Sequence, residues 1–282
     1  MSKGKRSLKA NKRTKRDTDK TKIKILLPLI ALLIILNLAL GDGNLGVGNQ
    51  TNYHYIKVLI YSGSGYSGST SDNCVYQIES ILNQANSQNF ITGVRFAYNT
   101  SDVINNNTLS GYDVVIMPGS SEGYDYIDND EINVTDLKNF VASGKGFVGI
   151  CAGAYSGAQY TENWYYGWGL APDVVNEPYL EVGNVTIDPT SAGGVLDYKG
   201  GNISHINGPA MSTSGEVVTF ATYSGNSSYE GYAAIIGDRY GDGRTVLSGV
   251  HPELTPQNPE MLINLILWAY NGTYENNTNN ST

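Results

Sequence analysis

Cysteine is nearly absent from this chain: two residues, Cys74 and Cys151, in 282. Two cysteines cannot form a disulfide framework, so the fold must rest on a hydrophobic core, for which the length is ample. Either the two form a single bridge or each is a free thiol. Histidine is almost as scarce, with His54, His205 and His251 only. Three scattered histidines and one spare cysteine show no metal-ligand spacing, so the sequence predicts neither metal nor cofactor. Basic residues are missing from most of the chain. Of 18 Lys and Arg, 11 lie in the first 24 residues, leaving 7 against 24 of the 26 acidic residues. A remainder of charge −17 repels phosphate backbones, and no aromatic–basic stripe interrupts it, which excludes nucleic acid as a partner.

What is present begins with that basic arm, residues 1–22. Residues 23–41 form the next span, with almost no polar side chains, Pro28 and Asn37 lying near its ends. About 18 apolar residues at ~1.5 Å each just cross a hydrocarbon core. The arm should stay in the cytoplasm, which makes the chain a single-pass membrane protein with its C-terminal part outside. The alternative is a cleaved secretory signal and a secreted domain, although Asn37-Leu38-Ala39-Leu40 offers no small-x-small cleavage site. Export agrees with ten N-x-S/T sequons, at Asn49, Asn99, Asn106, Asn133, Asn184, Asn202, Asn226, Asn271, Asn276 and Asn280.

Residues 42–54 are Gly/Asn-rich and read as a flexible stalk that includes His54. Residues 55–272 form the expected domain, and 273–282 a disordered polar tail. In the domain, Ile56–Tyr61, Gly93–Tyr98, Asp113–Met117, Gly146–Ile150 and Arg244–Val250 are apolar runs that predict strands. Helices are expected from an Asp72 or Asn73 cap through Val75, Ile78, Ile81 and Leu82, over Val134–Val141, and over Pro259–Tyr270. Between Trp164 and Gly243, short β-rich pieces separated by Gly, Asn and Pro suggest antiparallel additions. Asp238–Gly243 reads as a hairpin turn and His205 as an ordinary loop or edge-strand residue. Strands alternating with helices imply an α/β fold with a doubly wound, mostly parallel sheet. Functional residues of such sheets collect beyond the carboxyl ends of the strands, here at Pro118–Ser121, Cys151 and His251.

Cys151 comes directly after a strand and is flanked by Gly149 and Gly153, a cysteine version of the nucleophile elbow. The glycines are required because strand and helix backbones approach too closely for a Cβ. The thiol would sit at a helix N-terminus, and the backbone N–H of Ala152 is placed to donate to an oxyanion. The plainer alternative is a buried structural cysteine. His251-Pro252-Glu253 also comes after a strand: His251 could take the thiol proton and Glu253 could orient the ring. Trp164, Tyr165, Tyr166 and Trp168 could line a groove or simply pack.

Gly149–Tyr155 (GICAGAY), Ser248–Glu253 (SGVHPE) and the early Tyr61-Ser62-Gly63 resemble the class I glutamine amidotransferase family. They are most similar to the amidotransferase-like N-terminal domain of eukaryotic-type biotin–protein ligases and its stand-alone relatives, over roughly Tyr55 to Tyr270. That resemblance implies a flavodoxin-like fold with Cys151 as nucleophile, His251 as general base and Glu253 as its partner. It implies a second oxyanion donor from Pro118-Gly119-Ser120, where Ser120 replaces the usual glycine, and a site lined by Tyr155, Asn207 and Gly208. No ligase or synthetase domain is expected beside it. The expected function is a thiol-dependent hydrolase of a small or peptide-like amide, of the peptidase kind if the substrate is larger. The alternative is a catalytically silent binding or cell-surface module. The residues name no protein partner.

Overall fold

The computed structural model describes residues 52–63, 73–121, 125–225 and 227–272. The basic arm, the apolar span, most of the stalk and the polar tail lie outside the described residues. Among the described residues no helix is long and apolar enough to cross a membrane.

Strand β1 (His54–Tyr61) starts one residue inside the expected stalk, so His54 belongs to the sheet, where its Nε2 lies 2.8 Å from the Tyr270 hydroxyl. β1 pairs in parallel with β2 (Val94–Ser101) and β3 (Val114–Met117), and β3 pairs with β4 (Gly146–Ile150). β4 in turn pairs in parallel with a late strand, Gly243–Ser248. Numbered in chain order this late strand is β13, and the parallel block runs β2-β1-β3-β4-β13. β3 and β4 are buried at every position because helices cover both faces, which is why they read as continuous apolar runs rather than alternating ones.

Helix α1 (Cys74–Gln88) is capped by Asn73, whose Oδ1 accepts from the Tyr76 N–H at 2.6 Å. Its buried stripe of Val75, Ile78, Ile81, Leu82 and Ala85 faces the same core layer as the last helix, Pro259–Asn271. A one-turn helix α2 (Asn106–Leu109) and helix α3 (Val134–Ala142) lie over the other layer, where Leu109, Leu137 and Val141 pack with Val115, Met117 and Phe147. α4 (Ala152–Gly157) continues from β4 after the single residue Cys151. The last helix is α5.

The second half extends the sheet with mostly antiparallel strands. These are β5 (Ala158–Thr161), β6 (Tyr165–Tyr166), β7 (Ala171–Pro178), β8 (Val182–Pro189), β9 (Gly201–Ile206), β10 (Pro209–Thr213), β11 (Val218–Ser224) and β12 (Ala233–Tyr240). β12 and β13 form the hairpin expected at Asp238–Gly243. β9 pairs with β8 alone among named strands, which makes His205 an edge-strand residue, though a buried one. Its Nδ1 lies 2.8 Å from Glu181 O and its Nε2 3.2 Å from Gly208 O.

Ile78 is fully buried between α1 and the sheet. Ile78→Ala should cost about 3 kcal/mol, through lost transfer free energy and the cavity left behind. Denaturant titration would show this as a lower midpoint with an unchanged slope.

Candidate active site

The parallel block brings the carboxyl ends of β1, β3, β4 and β13 to one edge, and the site is built there. Cys151 sits between β4 and α4 with φ 53° and ψ −105°, a left-handed conformation that a non-glycine residue adopts only when its surroundings impose it. The surroundings are extremely tight. A Cβ on Gly149 would come within 2.3 Å of Gly153 O, and one on Gly153 within 2.0 Å of Met117 O. The turn is further pinned by the Cys151 N–H, which donates to Ser248 O on β13 at 2.8 Å. α4 is only six residues long, so the macrodipole expected behind the thiol is that of under two turns.

His251 lies three residues past β13. Its N–H donates to Ser204 O on β9 at 2.9 Å, which fixes the backbone that carries the ring. Glu253 Oε1 lies 2.7 Å from His251 Nδ1, and both side chains are buried, His251 2% and Glu253 0% exposed. Burial pushes the His251 pKa down. The Glu253 carboxylate outweighs that, together with the sulfurs of Cys151 and Cys74, and holds the imidazole well above its ordinary value. His251 Nε2 itself has no partner at hydrogen-bond distance. The two thiols are near enough to bias its charge, while Cys151 Sγ donates instead to Ile206 O at 3.3 Å.

The other residues expected at the site lie around this pair. Gly119 packs against all of it: a Cβ there would meet His251 Cε1 at 2.8 Å, Cys74 Sγ at 3.2 Å and Cys151 Cβ at 3.7 Å. The Tyr126 hydroxyl donates to Pro118 O at 3.2 Å and holds this loop from behind. The Ser120 hydroxyl is engaged by the Asp125 carboxylate and so turned toward that residue. The Ala152 N–H is at the first position of α4, where a helix leaves its amides unused. Asn207 and Gly208 make the β9–β10 turn beside the site, and the Tyr155 hydroxyl donates to Asn207 O at 3.0 Å. The aromatic group divides: Trp164 is 48% exposed and stacks on Tyr155 with centroids 6.1 Å apart, whereas Trp168 is buried against Phe147.

Sequence reasoning missed Cys74 as part of this place. It is the first residue of α1, 8% exposed, and unbridged to Cys151. One donor atom from each of Cys74, His251 and Glu253 lies within 4.8 Å of the others. Burial and the Glu253 carboxylate push the Cys74 thiol pKa up, against a lowering contribution from His251. A usable signal did exist: in a doubly wound sheet the helix after β1 starts at the same carboxyl edge as the elbow.

Residues 56–167 match the family described as biotin-protein ligase, N terminal. A solved glutamine amidotransferase shares 17% identity with a TM-score of 0.51, over 75% of this chain and 98% of that one. The chain has the class I glutamine amidotransferase-like fold. PurLQS from Thermotoga maritima aligns at 16% identity and TM-score 0.50, covering 75% of this chain and 97% of its own. A beta-galactosidase from Rahnella sp. R3 reaches 18% and 0.52 over 74% of this chain but only 30% of that one. No curated protein matches. At these identities the structures establish an amidotransferase-like architecture and leave the chemistry to the site.

The raised His251 pKa has a definite sign in stability. The folded group keeps its proton above the ordinary value near 6.5, so its contribution is full below about pH 6.5 and is lost as pH rises through the folded pKa. Glu253→Gln should cost about 3 kcal/mol at pH 6 by removing the buried charge partner. The gap to the wild type should narrow as pH rises. Paired thermal denaturation from pH 6 to 9 checks this, and a gap that widens would contradict it.

Proposed function

We propose that this amidotransferase-like protein is a cysteine-dependent amide hydrolase, anchored in the membrane by its N-terminal segment and facing outward. The observation that carries the chemistry is the buried His251–Glu253 pair, 2.7 Å apart, set against a cysteine on a strained elbow. Cys151 sulfur would attack the carboxamide carbon while His251 holds the thiol proton. The tetrahedral oxyanion would be met by the Ala152 N–H and by the Gly119–Ser120 backbone, such donors being worth about 3 kcal/mol each. As the C–N bond breaks, His251 passes its proton to the leaving amine. Water then attacks the acyl-thioester, His251 takes that proton, and the carboxylic acid departs with the thiol restored. Tyr155, with Trp164 stacked on it, would form one wall for the substrate.

Outward orientation is supported by the basic arm preceding the apolar span. The sequon asparagines among the described residues, Asn99, Asn106, Asn133, Asn184, Asn202 and Asn271, are all exposed, as glycosylation requires. One observation favours a silent binding module instead: the Cys151 thiol is hydrogen-bonded to Ile206 O, and His251 Nε2 has no partner. The fold permits either, since it serves unrelated activities.

Iodoacetamide separates the two readings. In the hydrolase, Cys151 should alkylate faster than Cys74, and His251→Ala should slow it by about a hundredfold or more. Release of ammonia or amine from glutamine, asparagine or short peptide amides should then vanish in Cys151→Ser. Alkylation of Cys151 that is indifferent to His251→Ala would establish the silent module. Protease added to intact cells should remove the domain if it faces outward.

A further inference from the structure

The hydrolytic scheme leaves Cys74 without a task, although its sulfur lies in the heart of the site. Three chemically distinct donors meet there: a thiol, an imidazole and a carboxylate, all buried and within 4.8 Å of one another. Two buried polar atoms of the same cluster, His251 Nε2 and Glu253 Oε2, have no hydrogen-bond partner. Buried groups of this kind are normally satisfied, and their orphaning points to something that completes them.

We propose that Cys74, His251 and Glu253 form a binding site for a borderline-soft divalent cation, Zn²⁺ in the first instance. Sulfur, nitrogen and oxygen donors in one set are the chemistry of zinc rather than of calcium or magnesium, which take oxygen alone. Tetrahedral Zn²⁺ with bonds of about 2.0–2.3 Å spaces its donors about 3.5 Å apart. Closing the present cluster from 4.8 Å to that spacing requires side-chain rotation. Binding replaces the Cys74 S–H bond with a sulfur–zinc bond, releasing that proton together with the one the charged imidazole gives up to free a nitrogen for the metal, with water in the fourth position. Three protein ligands and one open position are the pattern of open rather than closed structural zinc sites.

The consequence for activity rests on the hydrolase reading. A cation that holds His251 and Glu253 removes the base and its orienting partner together, so bound Zn²⁺ would switch hydrolysis off while leaving Cys151 in place. Cys74 would then be the residue that makes the site sensitive to metal.

Binding can be read without turnover. Cobalt(II) alone, added to the full-length, untagged and reduced protein, should give one equivalent of tetrahedral visible bands with a thiolate-to-cobalt charge-transfer band, both displaced by Zn²⁺. Cys74→Ser and Cys74→Ala should each lose the charge-transfer band and bind about tenfold more weakly or worse. Cys151→Ser should keep it, and circular dichroism should show all three folded. A wild type without the charge-transfer band overturns the proposal, as does a band that survives in both Cys74 variants. Cobalt binding by a protein whose metal-free form hydrolyses no amide would refute the enzymatic reading and leave the metal site standing; hydrolysis by the metal-free protein without the band on adding cobalt would do the reverse.

Discussion

Everything at the site depends on how closely the chain after β4 passes over β3. Gly153 lies so near Met117 O that no other residue fits, and Gly149 lies nearly as close to Gly153 O. That approach forces Cys151 into a left-handed conformation and lifts its side chain above the sheet edge. Strain of this kind typically costs about 1–3 kcal/mol and persists only where packing over-determines it. Here the packing is the parallel block itself, with β3, β4 and β13 in register and almost fully buried. The sheet is therefore not a neutral support: it is what keeps the elbow bent.

The second constraint is electrostatic. A histidine and a glutamate are both withdrawn from water, and each would be costly alone. Together they satisfy one another on one side and leave His251 Nε2 and Glu253 Oε2 without partners. Those unused atoms are the chemical capacity of the site. In the proposed hydrolysis they would serve a thiol and a substrate, in the proposed metal site a cation together with Cys74, and the two uses would compete for the same imidazole. The antiparallel half contributes by position, since Ser204 ties down the His251 backbone and Ile206 O takes the Cys151 thiol.

Legibility in the sequence tracked burial. The central strands β3 and β4 are apolar throughout because both faces are covered, and Asp113–Met117 and Gly146–Ile150 read clearly for that reason, while Arg244–Val250 read from its buried Val246, Leu247 and Val250. The elbow was legible because a close backbone approach demands glycine on either side of Cys151. The antiparallel half was visible only as fragments. Its strands alternate, bulge and leave the sheet path, as in the register shifts between β11 and β12, and no local period encodes such partners.

The sequence by itself determined the alternating β/α order, the glycines around Cys151, and the placing of His251 and Glu253 after the last core strand. These obey local rules, since a strand end, a tight turn and a two-residue spacing are properties of neighbouring residues. Only the tertiary structure decided that Cys74 joins them, that Ile206 O takes the thiol, and that the Ser120 hydroxyl turns to Asp125. Cys74 and His251 lie in opposite halves of the chain, and no spacing rule spans that distance. They meet because β1 and β13 point the same way in one sheet, so the segments leaving their carboxyl ends emerge at the same edge.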